Sequence, residues 1–161
     1  MIKISNCSLH SSPGRPSLAD MLRPSMPQTL KHIVVNTIVV DADIDPLIGI
    51  PFEFEDMRTK NIIETVTIAF VDRSRASCRQ GDDWGRLDEV LTTPGWFSLK
   101  RVSLTIKITN RNRITYDNNG DKHDDGDELE EIYRELPKTQ FPRLSSSDFV
   151  SFSFEVIWAQ I

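Results

Sequence analysis

Four times along this chain an apolar residue is followed three and five positions later by two more: Leu30, Ile33 and Val35; Ile63, Val66 and Ile68; Leu99, Val102 and Leu104; Phe149, Phe152 and Phe154. This is the L-x-x-L-x-L spacing of leucine-rich-repeat strands, which bury their apolar side only when neighbouring units stack against them. Two of the four sit inside a longer match. Shifted by 69 without a gap, Leu18, Met21, Leu22, Leu30, Lys31, Ile33 and Val35 fall on Leu87, Val90, Leu91, Leu99, Lys100, Val102 and Leu104. Helix, breaker and strand are preserved together. The opening Ile2-Lys-Ile4-Ser-Asn-Cys7 reads as the tail of one more unit, so a further N-terminal part is expected to precede it. Taken at Ile2, Ile33, Val66, Val102 and Phe152, the steps are 31, 33, 36 and 50. Such repeats usually span roughly 20–29 residues, so the array is expected to be irregular.

Strand alternating with helix implies parallel pairing through right-handed crossovers, with neighbours in sequence also neighbours in the sheet. The expected class is α/β: an irregular leucine-rich-repeat-like array of parallel strands alternating with short helices. The rival is a compact α+β domain with a mixed sheet. The 161 residues, 39% of them hydrophobic, suit a single domain with a real core.

Taken in order, residues 11–16 read as a loop, and Ser17 to Leu22 as a short helix ended by Pro24 and Pro27. Thr29 to Val40 is β-branched and strand-like, although its alternation fades after Asn36. Pro46, Gly49 and Pro51 punctuate 41–57, which reads as loop with a single helical turn. Residues 61–71 alternate as a strand. Asp82 or Asp83 is placed to cap a helix carrying Trp84, Leu87 and Leu91, which Thr93-Pro94-Gly95 ends before strand 99–109. Residues 110–126 carry no periodic apolar positions and read as a flexible acidic insertion. A second helix follows, with Asp127 and Glu130 as a capping box, Leu129, Ile132, Tyr133 and Leu136 on one stripe, and Pro137 as its stop.

The formal charge of −5 argues against a nucleic-acid partner, and the one dense basic group, Arg73, Arg75 and Arg79, is followed at once by Asp82 and Asp83. No apolar run reaches membrane length and no secretory signal opens the chain, so an intracellular protein, cytoplasmic or nuclear, with no membrane partner is expected. Cys7 and Cys78 have no metal-type spacing and read as buried thiols. Asp41, Asp43 and Asp45 follow a strand, where phosphotransfer enzymes of the haloacid dehalogenase type keep a nucleophilic carboxylate and its partner. Asp45 stands where that motif needs Thr or Val, so a solvated strand end is the favoured reading. Asp121 to Glu131 echoes a calcium loop, but the register fails: the third position is His123 and the twelfth Ile132. No metal site, cofactor or catalytic set is expected. Alternation instead sends His32, Val34, Thr65, Thr67, Arg101, Ser103 and Thr105, with Ser151 and Ser153, to one exposed sheet face, the candidate binding surface.

The stretches Leu30-Lys-His-Ile-Val-Val, Asp83-Trp-Gly-Arg-Leu-Asp-Glu-Val-Leu and Phe97-Ser-Leu-Lys-Arg-Val-Ser-Leu-Thr-Ile resemble the C-terminal parts of fungal F-box and leucine-rich-repeat-like proteins. In that family an F-box docks on a Skp-type adaptor of a cullin ubiquitin ligase, and the repeats present a concave surface to the protein to be modified. This chain carries no recognisable F-box. The resemblance therefore implies a scaffold with a protein partner, as in the substrate-recognition part of such a receptor, and transfers no functional residue. The expected function is a non-catalytic protein-interaction scaffold; the alternative is a small phosphotransfer enzyme using Asp41 and Asp43.

Overall fold

The computed structural model describes residues 2–5, 30–40, 43, 45–58, 61–73, 78–109, 114–116 and 122–158, of which 2–5, 114–116 and 122–128 enter through their backbone alone. Five parallel strands form one sheet in strictly sequential order: β1 (Ile2–Ser5), β2 (His32–Val39), β3 (Thr65–Asp72), β4 (Arg101–Ile108) and β7 (Ser151–Trp158). Helix α1 (Ile50–Met57) joins β2 to β3 and α2 (Asp82–Thr92) joins β3 to β4. The link from β4 to β7 holds β5 (Ile114–Tyr116), β6 (Lys122–Asp124), α3 (Asp125–Arg134), α4 (Leu136–Thr139) and α5 (Pro142–Ser145). The class is α/β, with parallel strands alternating with short helices.

The register of the sheet is the register of the repeat. Ile2 pairs with Ile33, Ile33 with Val66, Val66 with Val102 and Val102 with Phe152. Ile33, Val35, Val66, Ile68, Val102 and Leu104 point the same way into the core, with Phe152 and Phe154 packed against it. Local geometry repeats as well: the N–H groups of Glu64 and Thr65 both donate to the Lys31 carbonyl, and those of Lys100 and Arg101 both donate to the Glu64 carbonyl. Two consecutive donors on one acceptor break the alternation there, as in a β-bulge. Lys100 and Arg101 are accordingly both exposed, although they are adjacent, and so are Lys31 and His32 at the equivalent place in the earlier unit.

The helices cover one face. Leu47, Ile50, Phe54 and Met57 from the α1 arm and Trp84, Leu87, Val90 and Leu91 from α2 are buried against the strands' apolar residues. Aromatic rings carry this packing to the last strand: Phe70 meets Trp84 edge-on at 5.9 Å, Trp84 meets Phe141 at 5.8 Å, and Phe141 meets Phe152 at 5.6 Å. Pairs in this range contribute roughly 0.5–1.5 kcal/mol each beyond the area they bury.

Several expectations are corrected. Residues 50–57 form a two-turn helix rather than one turn in a loop, because Pro51 occupies its first turn, where a missing N–H costs nothing, and Ile50, Phe54 and Met57 share its buried side. Neither Asp82 nor Asp83 caps α2. Both lie in its first turn behind Gly81, whose N–H is taken by Asp45 Oδ2 at 3.0 Å. A Cβ on Gly81 would stand 2.6 Å from that oxygen, so only glycine permits the approach. Strand β2 continues past Asn36, with Thr37 and Val39 turned inward. Pro137 does not terminate the helical segment: the chain breaks at Glu135 and resumes with Pro137 in the first turn of α4. Ile132, expected on the buried stripe, is 41% exposed, whereas Leu129, Tyr133 and Leu136 are buried. In the fourth unit the buried residue is Val150; Phe149 is 91% exposed, because Ser147 Oγ accepts the N–H groups of both and turns the chain by one position.

Within 110–126 the strands β5 and β6 pair antiparallel, Thr115 opposite His123, as a hairpin separate from the main sheet. The expected Ser17–Leu22 helix and Cys7 lie outside the described residues.

Candidate interaction surface

The side of the sheet away from the helices is laid out in rows by the parallel register. The first row is His32, Thr65, Arg101 and Ser151, the second Val34, Thr67, Ser103 and Ser153. Asn36, Ala69, Thr105 and Glu155 make the third, and Ile38, Val71, Lys107 and Ile157 the fourth. All seven residues expected on the exposed face lie together here. His32 and Arg101 are exposed; Val34, Thr65, Thr67, Ser103 and Thr105 are half-buried between their strand neighbours. None of the sixteen belongs to the hydrophobic core. Parallel sheets ordinarily bury both faces, so a polar face on this one is unusual outside repeat arrays.

Hydroxyls dominate the first two rows, and Ser153 Oγ donates to Ser103 Oγ at 2.8 Å. The exposed end of the ladder, one residue before β2, β3 and β4, carries charge. Glu64 lies between two lysines, with Lys31 Nζ 2.7 Å from one carboxylate oxygen and Lys100 Nζ 3.0 Å from the other. Hydrogen bonds from Lys31 and then Lys100 hold its carboxyl down at about 2, well below the ordinary 4.5. Lys31, Glu64 and Lys100 occupy equivalent places in successive units. The sequence showed this for Lys31 and Lys100; the acid between them could have been read from the strand alignment and was not.

The alternative chemistry fares differently. Asp41 lies outside the described residues, and Asp43 is an exposed turn residue. Asp45, at 9% exposure, accepts from the N–H of Leu47 at 2.8 Å, the indole Nε1 of Trp84 at 3.0 Å and the N–H of Gly81 at 3.0 Å. Burial pushes its carboxyl up and these donors pull it back. Asp45 thus ties the loop before α1 to the start of α2. Asp88 does the same for α5, accepting the N–H groups of Arg143 at 3.0 Å and Leu144 at 2.8 Å.

A third buried polar group joins β3, the loop before α2, and α3. The Tyr133 hydroxyl donates to Asp72 Oδ2 at 2.5 Å and accepts the N–H of Cys78 at 2.9 Å, with the Cys78 sulfur 3.3 Å away. Burial drives the Cys78 thiol up to about 12 and the Tyr133 hydroxyl up as well, so neither ionises near neutrality and Cys78 is no nucleophile there. Residues so far apart in sequence gave no signal of this network beyond the apolar stripe that carries Tyr133.

Among the described residues no group of three or more His, Cys, Asp and Glu side chains could hold a metal ion. None of their helices is long and apolar enough to cross a membrane. The calcium-loop side chains from Asp121 to Glu128 lie outside those described. No family model, curated protein or solved structure matches this chain.

Proposed function

We propose that this chain is a non-catalytic protein-interaction scaffold that meets its partner across the open face of the sheet. The observation that carries this reading is the one-sided sheet: five parallel strands in sequential order, helices on one side, and rows of His32, Thr65, Arg101 and Val34, Thr67, Ser103 on the other. An open sheet face offers broad contact at little conformational cost, because the sheet holds its short side chains in place. The resemblance to the repeat regions of F-box proteins supplies a setting, selection of a protein for ubiquitin transfer.

The test is affinity capture from native extract with the full chain, beside the double variant Arg101→Glu, Thr67→Glu. A stoichiometric partner retained by the parent chain and lost by the variant is expected. Partners held equally by both would remove the sheet face as the binding surface.

A further inference from the structure

The open face is not electrically uniform. At its strand-start end two consecutive side chains are exposed in each of two units: Lys31 with His32, and Lys100 with Arg101, the second pair at a bulge. Glu64 is the acidic residue among them. It neutralises one unit of charge and leaves Lys31, Lys100 and Arg101 with a surplus of two positive charges on a chain whose formal net charge is −5. The lysine side chains are 55% and 73% exposed despite their contacts with Glu64. Just inside this rim lie the hydroxyls of Thr65, Ser151, Thr67 and Ser103.

Resting on the scaffold reading above, we propose that this basic rim docks an extended acidic peptide segment of the partner protein. Lys31 and Lys100 stand on strands two apart, but both ammonium groups lean in to the one Glu64 carboxylate, which brings them closer than the strand spacing and suits carboxylates two residues apart on the same side of an extended chain, about 6.6 Å. The pair with Glu64 holds the lysines in a row, so their ordering is in place before a ligand arrives, and a carboxylate meets the outer N–H donors of each. Hydroxyls inside the rim supply donors and acceptors for the backbone of such a segment. The face carries no Phe, Tyr or Trp in its four rows, so it lacks the run of large rings on which successive bases of single-stranded nucleic acid stack.

The experiment measures binding of the full chain to a labelled peptide with Glu at every second position in a Ser/Gly background, so that its carboxylates share one side of the extended chain. A Gln counterpart and a thymidine oligonucleotide of equal charge serve as comparisons. The Glu peptide is expected to bind about tenfold or more tightly than the Gln peptide, and to weaken with salt, as the screening length falls from about 10 Å at 0.1 M to about 3 Å at 1 M. Lys100→Glu with Arg101→Glu removes the preference, while Lys107→Glu, on the same face near the other end of β4, leaves it within about twofold, with circular dichroism confirming the fold of both. Equal binding of the Glu and Gln peptides, tighter binding of the oligonucleotide, or equal losses in the two variants overturns the proposal. A photo-crosslinker at Ser103 separates the two readings. A face-crosslinked partner together with failure of the Glu peptide sinks only the acidic segment, and failure of both sinks the scaffold.

Discussion

Glu64 owes its acidity to two cations supplied by the units on either side, and this has a definite pH signature. Its folded pKa lies below the ordinary value, so the stability it contributes is present above about 4.5 and is lost as pH falls through about 2. In a urea-denaturation series, Glu64→Gln is expected to be less stable than the parent at pH 7, with the gap closing between those limits. Asp45 and Asp88 act in the opposite sense, since burial raises both, and stability falls as pH rises above their ordinary 3.8. They are common to both proteins and cancel from the difference. Thr37 makes a second case at this scale. It turns inward beside Phe70, 8% exposed, and its hydroxyl has no hydrogen-bond partner among the described residues. Thr37→Val keeps the shape and removes the stranded hydroxyl, so a gain of about 1 kcal/mol in the same assay is expected.

Among the elements, the strands were legible and the helices less so. Apolar side chains at L-x-x-L-x-L spacing name the inward face without further information, and Ile33, Val66, Val102 and Phe152 pair as that spacing required. Helix α1 reads as only a single turn from sequence because its prolines and glycine look like punctuation, although Pro51 in a first turn favours a helix. Asp45, Trp84 and Gly81 meet across more than thirty residues, a contact no local pattern carries. The face residues were legible because alternation alone assigns them; the Glu64 ladder and the bulges below it depend on pairing and were not. The fourth unit tests the corrected register: Val150→Ala is expected to cost roughly 1–2 kcal/mol, and Phe149→Ser to stay within about 0.5 kcal/mol. The β5–β6 hairpin forms its own small sheet, so replacing 110–124 with a short linker is expected to shift the melting temperature by only a few degrees, read by calorimetry.

For the whole molecule, sequential order means that each strand is laddered only to its neighbours in the chain. Stability is then close to a sum over units and the junctions between them. Strands β3 and β4 each have full-length ladders on both sides, whereas β7 has one. Amide exchange is expected to be slowest in β3 and β4 and faster in β7, and uniform protection of all strands would contradict a nearest-neighbour array.

The same order decides how the sheet answers a mechanical load. Tension entering at Trp158 is borne first by the single β4–β7 ladder, the rings of Phe141, Phe152 and Phe154, and the Trp158 indole that donates to Glu130. Once that edge strand lets go, the next ladder inward becomes the edge and takes the strain in its turn. The fold yields like a zip fastener, one tooth row at a time, and the rows still closed keep their alignment while the pulled end lengthens.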